Sequence, residues 1–409
     1  MIDTRLELID ALYEAAELEH GLLLQYLFAA LSLKKRLDEG ITGSQQELIR
    51  KWEGQILLVA REEMAHLGTV CNLLSAIGAA PRFSRPNFPQ PAKDYYPFNF
   101  TLTRFSDEAL YRFIRAELPK GELPPEPPAA FTGIAPLALA PEMLAAAIPE
   151  PLEYEYVGEL YRQSREAFNQ IPEADLFIGP QSAQEEEVWS RRMQIIRVVD
   201  RSTANSAIDD IIQDGEGAPA KREGSHYNTF LKLRKELAAQ PHFEPARLVV
   251  PNPRTRPHRD SPFPATILEN PQALELTDLF NACYEIVLMM LLQLYSYEGE
   301  TLGERNALRA ASRQMMTMAI RPIAAILTEM PAMNEPTLGT AGPSFELYSP
   351  LELSTQVQNR WVILSERYDS VIADLKKLVP LNPRLSFIAE NISLIQSNVN
   401  RSRAAERKL

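Results

Sequence analysis

The chain of 409 residues is 45% hydrophobic and 23% charged, a globular composition with length enough for one large domain or two smaller ones. Its 42 basic and 54 acidic residues leave a net charge of −12, which argues against nucleic acid or an anionic membrane as a partner. Two cysteines, Cys71 and Cys283, cannot build a disulfide framework or a CxxC metal site, so metal or redox chemistry would need other ligands.

The first elements follow from apolar spacing. Leu8, Leu12, Ala15, Leu22, Tyr26, Ala29 and Leu33 recur every three to four residues and predict one amphipathic helix over 4–37. Trp52, Ile56, Val59, Met64, Leu67, Val70 and Leu74 predict a second over 47–77, stopped by Gly78 and Pro81. Of the 32 prolines, 14 fall between Pro81 and Pro151, so 79–151 reads as a long crossover, interrupted by a short helix from Ser106 to Glu117. Further helices are expected over 152–169, over 184–214 with a break near Arg201, and over 226–239. Six prolines from Pro251 to Pro271 mark a linker at 246–272 between a first unit, 1–245, and a helical extension, 273–409. That extension should hold helices over 274–297, 303–330, 351–378 and 384–407. No strand alternation or repeat stands out. No apolar run approaches the roughly 18–20 residues of a membrane span, and the first residues lack a signal-peptide layout, so a cytoplasmic protein is expected.

Polar residues sit where apolar ones belong. Leu12, Glu19, Tyr26 and Leu33 are seven apart and share one helix face, which puts Glu19 in a buried seam. A buried carboxylate must be protonated, paired or metal-bound. On the second helix Glu63 and His66, at i and i+3, interrupt the row of Ile56, Val59 and Val70. Glu17/His20 and Glu223/His226 repeat the Glu-x-x-His spacing; the former lies off the apolar row and reads as a helix-flank pair or as residues that support the ligands from behind. One Glu from each of two helices and Glu-x-x-His from two others is how a four-helix bundle holds two iron or manganese ions.

The segments Leu18-Glu19-His20 with Tyr26, Arg61 to Leu67, Asn72 to Gly78, Gly158-Glu159-Leu160-Tyr161, Asp214 to Gly217, Ser225-His226-Tyr227 and Thr340 to Glu346 resemble the ferritin-like proteins related to the iminophenyl-pyruvate dimer synthase of violacein biosynthesis. The resemblance implies an all-α, ferritin-like four-helix bundle with a C-terminal helical subdomain. It also implies Glu19, Glu63, His66, Glu159 and His226 as metal ligands, although Glu153, Glu155 and Glu166 offer alternatives to Glu159. The sixth ligand stays open between Glu223 and Glu216. Gly224 disfavours helix and Ser225 is a good N-cap, which would make His226 the first helical residue and strand Glu223 outside, whereas Glu216 sits in a Gly-Glu-Gly that could turn inward. Tyr26, two turns from Glu19, is either a core phenol bonded to a ligand or a catalytic, redox-active one.

No phosphate loop, GxSxG nucleophile or dinucleotide fingerprint is present. The expectation is a non-haem dimetal oxidoreductase with two iron ions, manganese being the alternative, using dioxygen or peroxide on a small, amino-acid-derived metabolite. The competing expectation is an iron-storage protein with ferroxidase-like turnover. The apolar stretch 274–330 makes a homo-oligomer a further expectation.

Overall fold

In a computed structural model, the structure describes residues 2–90, 99–128, 156–190, 193–215, 222–257 and 264–406. Two long helices lead. Helix α1 (Arg5–Leu31) starts at a capping box in which the Thr4 hydroxyl accepts from Glu7 N and the Glu7 carboxylate accepts from Thr4 N. It ends short of residue 37 because Ser32 turns its hydroxyl back to Ala29 O and Leu33 bridges to Ala246. Helix α2 (Gly43–Ala76) is capped by Thr42 and Gln45 in the same way and packs along α1.

The other half of the bundle is made of four shorter helices. These are α3 (Asp107–Ala116), α4 (Val157–Gln170), α5 (Arg201–Asp214) and α6 (His226–Ala238). Helix α3 pairs with α6, and α4 with α5; α3 and α4 lie against α1, α5 and α6 against α2. The helix expected from residue 184 begins only at Arg201, N-capped by Asp200. Ahead of it Glu187–Ser190 (β1) and Met193–Ile195 (β2) form an antiparallel hairpin, in a stretch where Ile195, Ile196, Val198 and Val199 favour extended backbone.

The C-terminal part is helical. A two-residue parallel pairing of Pro253–Arg254 (β3) with Thr266–Ile267 (β4) precedes α7 (Pro271–Ser296), α8 (Leu302–Met315), α9 (Arg321–Leu327), α10 (Val357–Leu378) and α11 (Arg384–Glu406). The single helix expected over 303–330 is interrupted by a π segment, Met316–Ile320. Pro322 cannot donate to the Met318 carbonyl, which Asn391 instead approaches at 3.5 Å. Contrary to the expectation of no span-like run, α7 is long and apolar enough to cross a membrane, but 78% of its apolar window is buried inside the protein. One apolar core joins Leu8 and Leu12 of α1 to Phe280 of α7 and Ile392 of α11, so it continues across 246–272.

The loops after α7 are locked by a fully buried ion pair, Arg360 to Glu300 at 2.6 Å, in which Arg360 also donates to the carbonyls of Glu298, Ser354 and Thr355. Removing one partner strands a buried charge. Arg360→Ala is therefore expected to cost about 3–5 kcal/mol of unfolding free energy, read from urea denaturation; an unchanged midpoint would show the pair to be dispensable.

Candidate metal centre

Three carboxylates and two imidazoles converge in the bundle interior. Glu19 comes from α1, Glu63 and His66 from successive turns of α2, Glu117 from the C-cap of α3 and His226 from the first residue of α6. All five are buried. Their donor atoms form two triads, Glu19–Glu63–His66 and Glu63–Glu117–His226, each with its atoms within 4.8 Å of one another, and Glu63 belongs to both. Since α3 ends and α6 begins beside α2, the interruptions in the second half of the bundle open onto this centre.

Distances show what the cluster is shaped for. His66 Nδ1 lies 2.9 Å from Glu63 Oε2 and 3.6 Å from Glu19 Oε2; His226 Nδ1 lies 2.9 Å from Glu63 Oε1 and 3.5 Å from Glu117 Oε1. On its far side, Nε2–H of His226 donates to Glu62 Oε2 at 3.0 Å. That bond leaves the Nδ1 lone pair facing two carboxylates, an arrangement that demands a proton or a cation between them. Glu19 Oε2, Glu63 Oε1, Glu117 Oε2 and His226 Nδ1 are buried without a hydrogen-bond partner. Two donors bound at about 2.1 Å and at right angles on one cation lie about 3 Å apart, close to the His226–Glu63 separation. The donor set fits hard or borderline divalent cations, and Glu63 belongs to both groups of ligand atoms.

Two phenols hold the outer carboxylates. Tyr161 of α4 donates to Glu19 Oε1, and Tyr26 of α1 donates to Glu117 Oε1 at 2.6 Å. Tyr26 is thus engaged as a hydrogen-bond donor, wedged edge-on against Phe113 and beside Phe230. Gly215, at the end of α5, comes so close that a Cβ there would stand 2.8 Å from His226 Nδ1 and 3.3 Å from His66 Cε1. Only glycine lets that turn approach both rings.

The remaining expected residues fall elsewhere. Glu159 is half-buried in the first turn of α4 and belongs to neither triad; the inward position on that helix is taken by Tyr161. Glu223 is exposed in the turn before Ser225, whose hydroxyl accepts from Asn228 N and starts α6 at His226. Glu216 lies outside the described residues, as do Glu153 and Glu155. His20 faces away, bonded to the Tyr284 hydroxyl of α7, and Glu17 is half-buried on the helix flank. Glu117 was not anticipated. It continues the buried stripe Leu110, Phe113, Ile114 of α3, the same carboxylate-on-an-apolar-face signal that marks Glu19.

Charge follows burial. Burial and the neighbouring Glu63 push the Glu19 carboxyl up to about 8, and burial likewise raises Glu117. Burial acts to raise Glu63 as well, but the imidazoles of His226 and His66 hold it well below the usual carboxylate range. Burial acts to lower both histidines, but the surrounding carboxylates outweigh it and hold them well above the usual histidine range. Protons therefore do in the cation-free protein what cations would do. A cation must displace them, so its affinity should climb as pH rises through about 8, where Glu19 ionises, and the two imidazoles, which hold their protons above the usual histidine range, extend that climb. Divalent metal titrated into weakly buffered protein at neutral pH should release about two or more protons per chain, measured with an indicator dye; binding without proton release would contradict the assigned charge states.

The sequence model of the ferritin-like family matches residues 12–235, more than half of the chain and the whole of this centre. The chain belongs to the ferritin-like family. Within that family it departs from the doubled Glu-x-x-His pattern: α2 supplies one such pair, but His226 finds its carboxylates on α2 and α3. The chain is similar to dichlorochromopyrrolate synthase of Lentzea aerocolonigenes, 30% identical over 396 residues that cover 85% of this chain and 36% of that protein. It is also similar to 2-imino-3-(indol-3-yl)propanoate dimerase of Chromobacterium violaceum, 26% identical over 362 residues, 81% of this chain and 33% of that protein. The chain thus spans about a third of the length of these curated relatives. A ferritin-like protein of Caulobacter vibrioides, solved at 1.95 Å, superimposes with a TM-score of 0.48 at 18% identity, covering 76% of this chain and 93% of that one.

Proposed function

We propose that this chain is a non-haem dimetal oxidoreductase that couples or oxidises a small amino-acid-derived imine. The observation that carries the reading is the pair of buried triads sharing Glu63, with unpartnered donor atoms turned toward one another. Glu19, Glu63, His66, Glu117 and His226 would hold two cations, iron first and manganese second. When bound, such cations would supply the binding and reduction of dioxygen or peroxide.

The residues of this chain do the rest. Leu12 and Leu22 on the helix of Glu19, and Val59 and Val70 on the helix of Glu63 and His66, are buried, and this apolar interior would exclude water from the centre. Tyr26 holds Glu117 in place and is the side chain we assign to proton or electron traffic at the centre. The names of the two relatives, a dichlorochromopyrrolate synthase and a dimerase of an indole-bearing 2-imino acid, support such an imine as the substrate class. Joining two imine molecules by a new carbon–carbon bond removes two electrons and two protons, which one peroxide accepts to give two waters. A dimerisation of this kind is therefore an oxidation and needs the centre.

Metal quantitation, then anaerobic iron(II) addition and exposure to oxygen followed optically, tests the reading. About two cations per chain, an optical change on oxidation, and oxidant consumption raised by an indole-bearing 2-imino acid are expected. Many irons per chain would favour storage, and no uptake would remove the proposal.

A further inference from the structure

We propose that Tyr161 is a positioning residue that makes Glu19 present a single oxygen to the metal centre. The inference rests on the dimetal reading above and assigns a role to a side chain outside the ligand set. The Tyr161 hydroxyl, on the second turn of α4, donates to Glu19 Oε1 in a fully buried contact between α4 and α1. The other oxygen, Oε2, is turned toward His66 Nδ1 at 3.6 Å and has no hydrogen-bond partner.

The phenol therefore divides the carboxylate into an anchored oxygen and a donor oxygen. Glu117 carries a related arrangement with its own phenol. There Tyr26 bonds Oε1, the oxygen lying 3.5 Å from His226 Nδ1, and Oε2 is the one buried without a hydrogen-bond partner. With Oε1 anchored, Glu19 would ligate through Oε2 alone, which would leave room in the Glu19–Glu63–His66 triad for an exogenous ligand. Without the phenol, Oε1 is released and Glu19 can swing to bind through both oxygens. Partners of metal ligands that orient them in this way typically matter tenfold or more to affinity.

Cobalt(II) added to the metal-free protein under argon provides a probe that needs no turnover, because its visible bands weaken as coordination number rises. Tyr161→Phe is expected to raise the cobalt dissociation constant about ten- to hundredfold for one of two bound ions and to weaken and shift that ion's visible bands. Tyr26→Phe, which acts on Glu117, should leave the bands of the ion at the Glu19–Glu63–His66 triad unchanged. Incorporation of 3-fluorotyrosine at position 161, which keeps the size and the donor, should restore the wild-type spectrum and covers the case in which Tyr161→Phe fails to fold. A Tyr161→Phe protein with lowered Tm but wild-type cobalt affinity and spectrum would overturn the proposal, leaving the phenol a packing role. A wild-type protein that binds no cobalt would overturn this proposal and the dimetal reading together, whereas wild-type binding with an indifferent variant overturns this proposal alone.

Discussion

Replacing Glu63 by alanine is expected to abolish the binding of both cations, taking metal content from about two per chain to near zero. Glu63 is the one carboxylate common to both triads: its Oε2 meets His66 Nδ1 and its Oε1 meets His226 Nδ1, each at 2.9 Å. Its loss deprives each cation of a ligand and brings two imidazoles, with ring centres 5.6 Å apart, into an interior without the charge that separates them. His66→Ala and His226→Ala remove one nitrogen each from a different triad, so each should weaken one position more than the other. Metal quantitation after dialysis, with far-ultraviolet circular dichroism to confirm the helical fold, distinguishes these patterns. Two tightly held ions in Glu63→Ala would place the cations elsewhere.

The second large effect concerns Glu117 and Glu159. Glu117→Gln preserves the shape of the side chain and an acceptor for Tyr26 but removes the negative charge from a position where it faces His226 at 3.5 Å. Metal content should fall to about one per chain, with the remaining ion held by Glu19, Glu63 and His66. Glu159→Gln should leave metal content unchanged, because the carboxylate sits half-buried outside both triads. The opposite result, metal lost from Glu159→Gln and kept by Glu117→Gln, would return the ligand to α4 and break the assignment of the second triad.

The contrast between these residues shows how far the amino-acid sequence carries. Glu19, Glu63 and His66 lie deep inside helices of 27 and 34 residues, where several turns of apolar spacing define the buried face and a polar residue on it stands out. Glu117 carries the same signal on a helix of only 10 residues, inside a stretch read as crossover because of its prolines. Glu159 could not be separated from its neighbours because α4 starts at Val157, and one turn of helix does not define which way residue 159 points. The N-cap at Ser225 was legible from local chemistry alone. The hairpin ahead of α5 was not, since short extended segments leave little periodicity to read.

What the chain determines by itself is local: capping boxes, helix faces, and the presence of acidic and imidazole groups on buried stripes. These follow from interactions within a few residues, which are written directly in the spacing of side chains. Which stripes meet was decided only by the fold. The breaks between α3 and α4 and between α5 and α6, the docking of α3 against α6, and the close approach allowed by Gly215 bring Glu117 and His226 to Glu63 across gaps of 54 and 163 residues. The physical reason is that such juxtapositions depend on burying whole apolar faces against one another, a property of the assembled core that no single segment encodes.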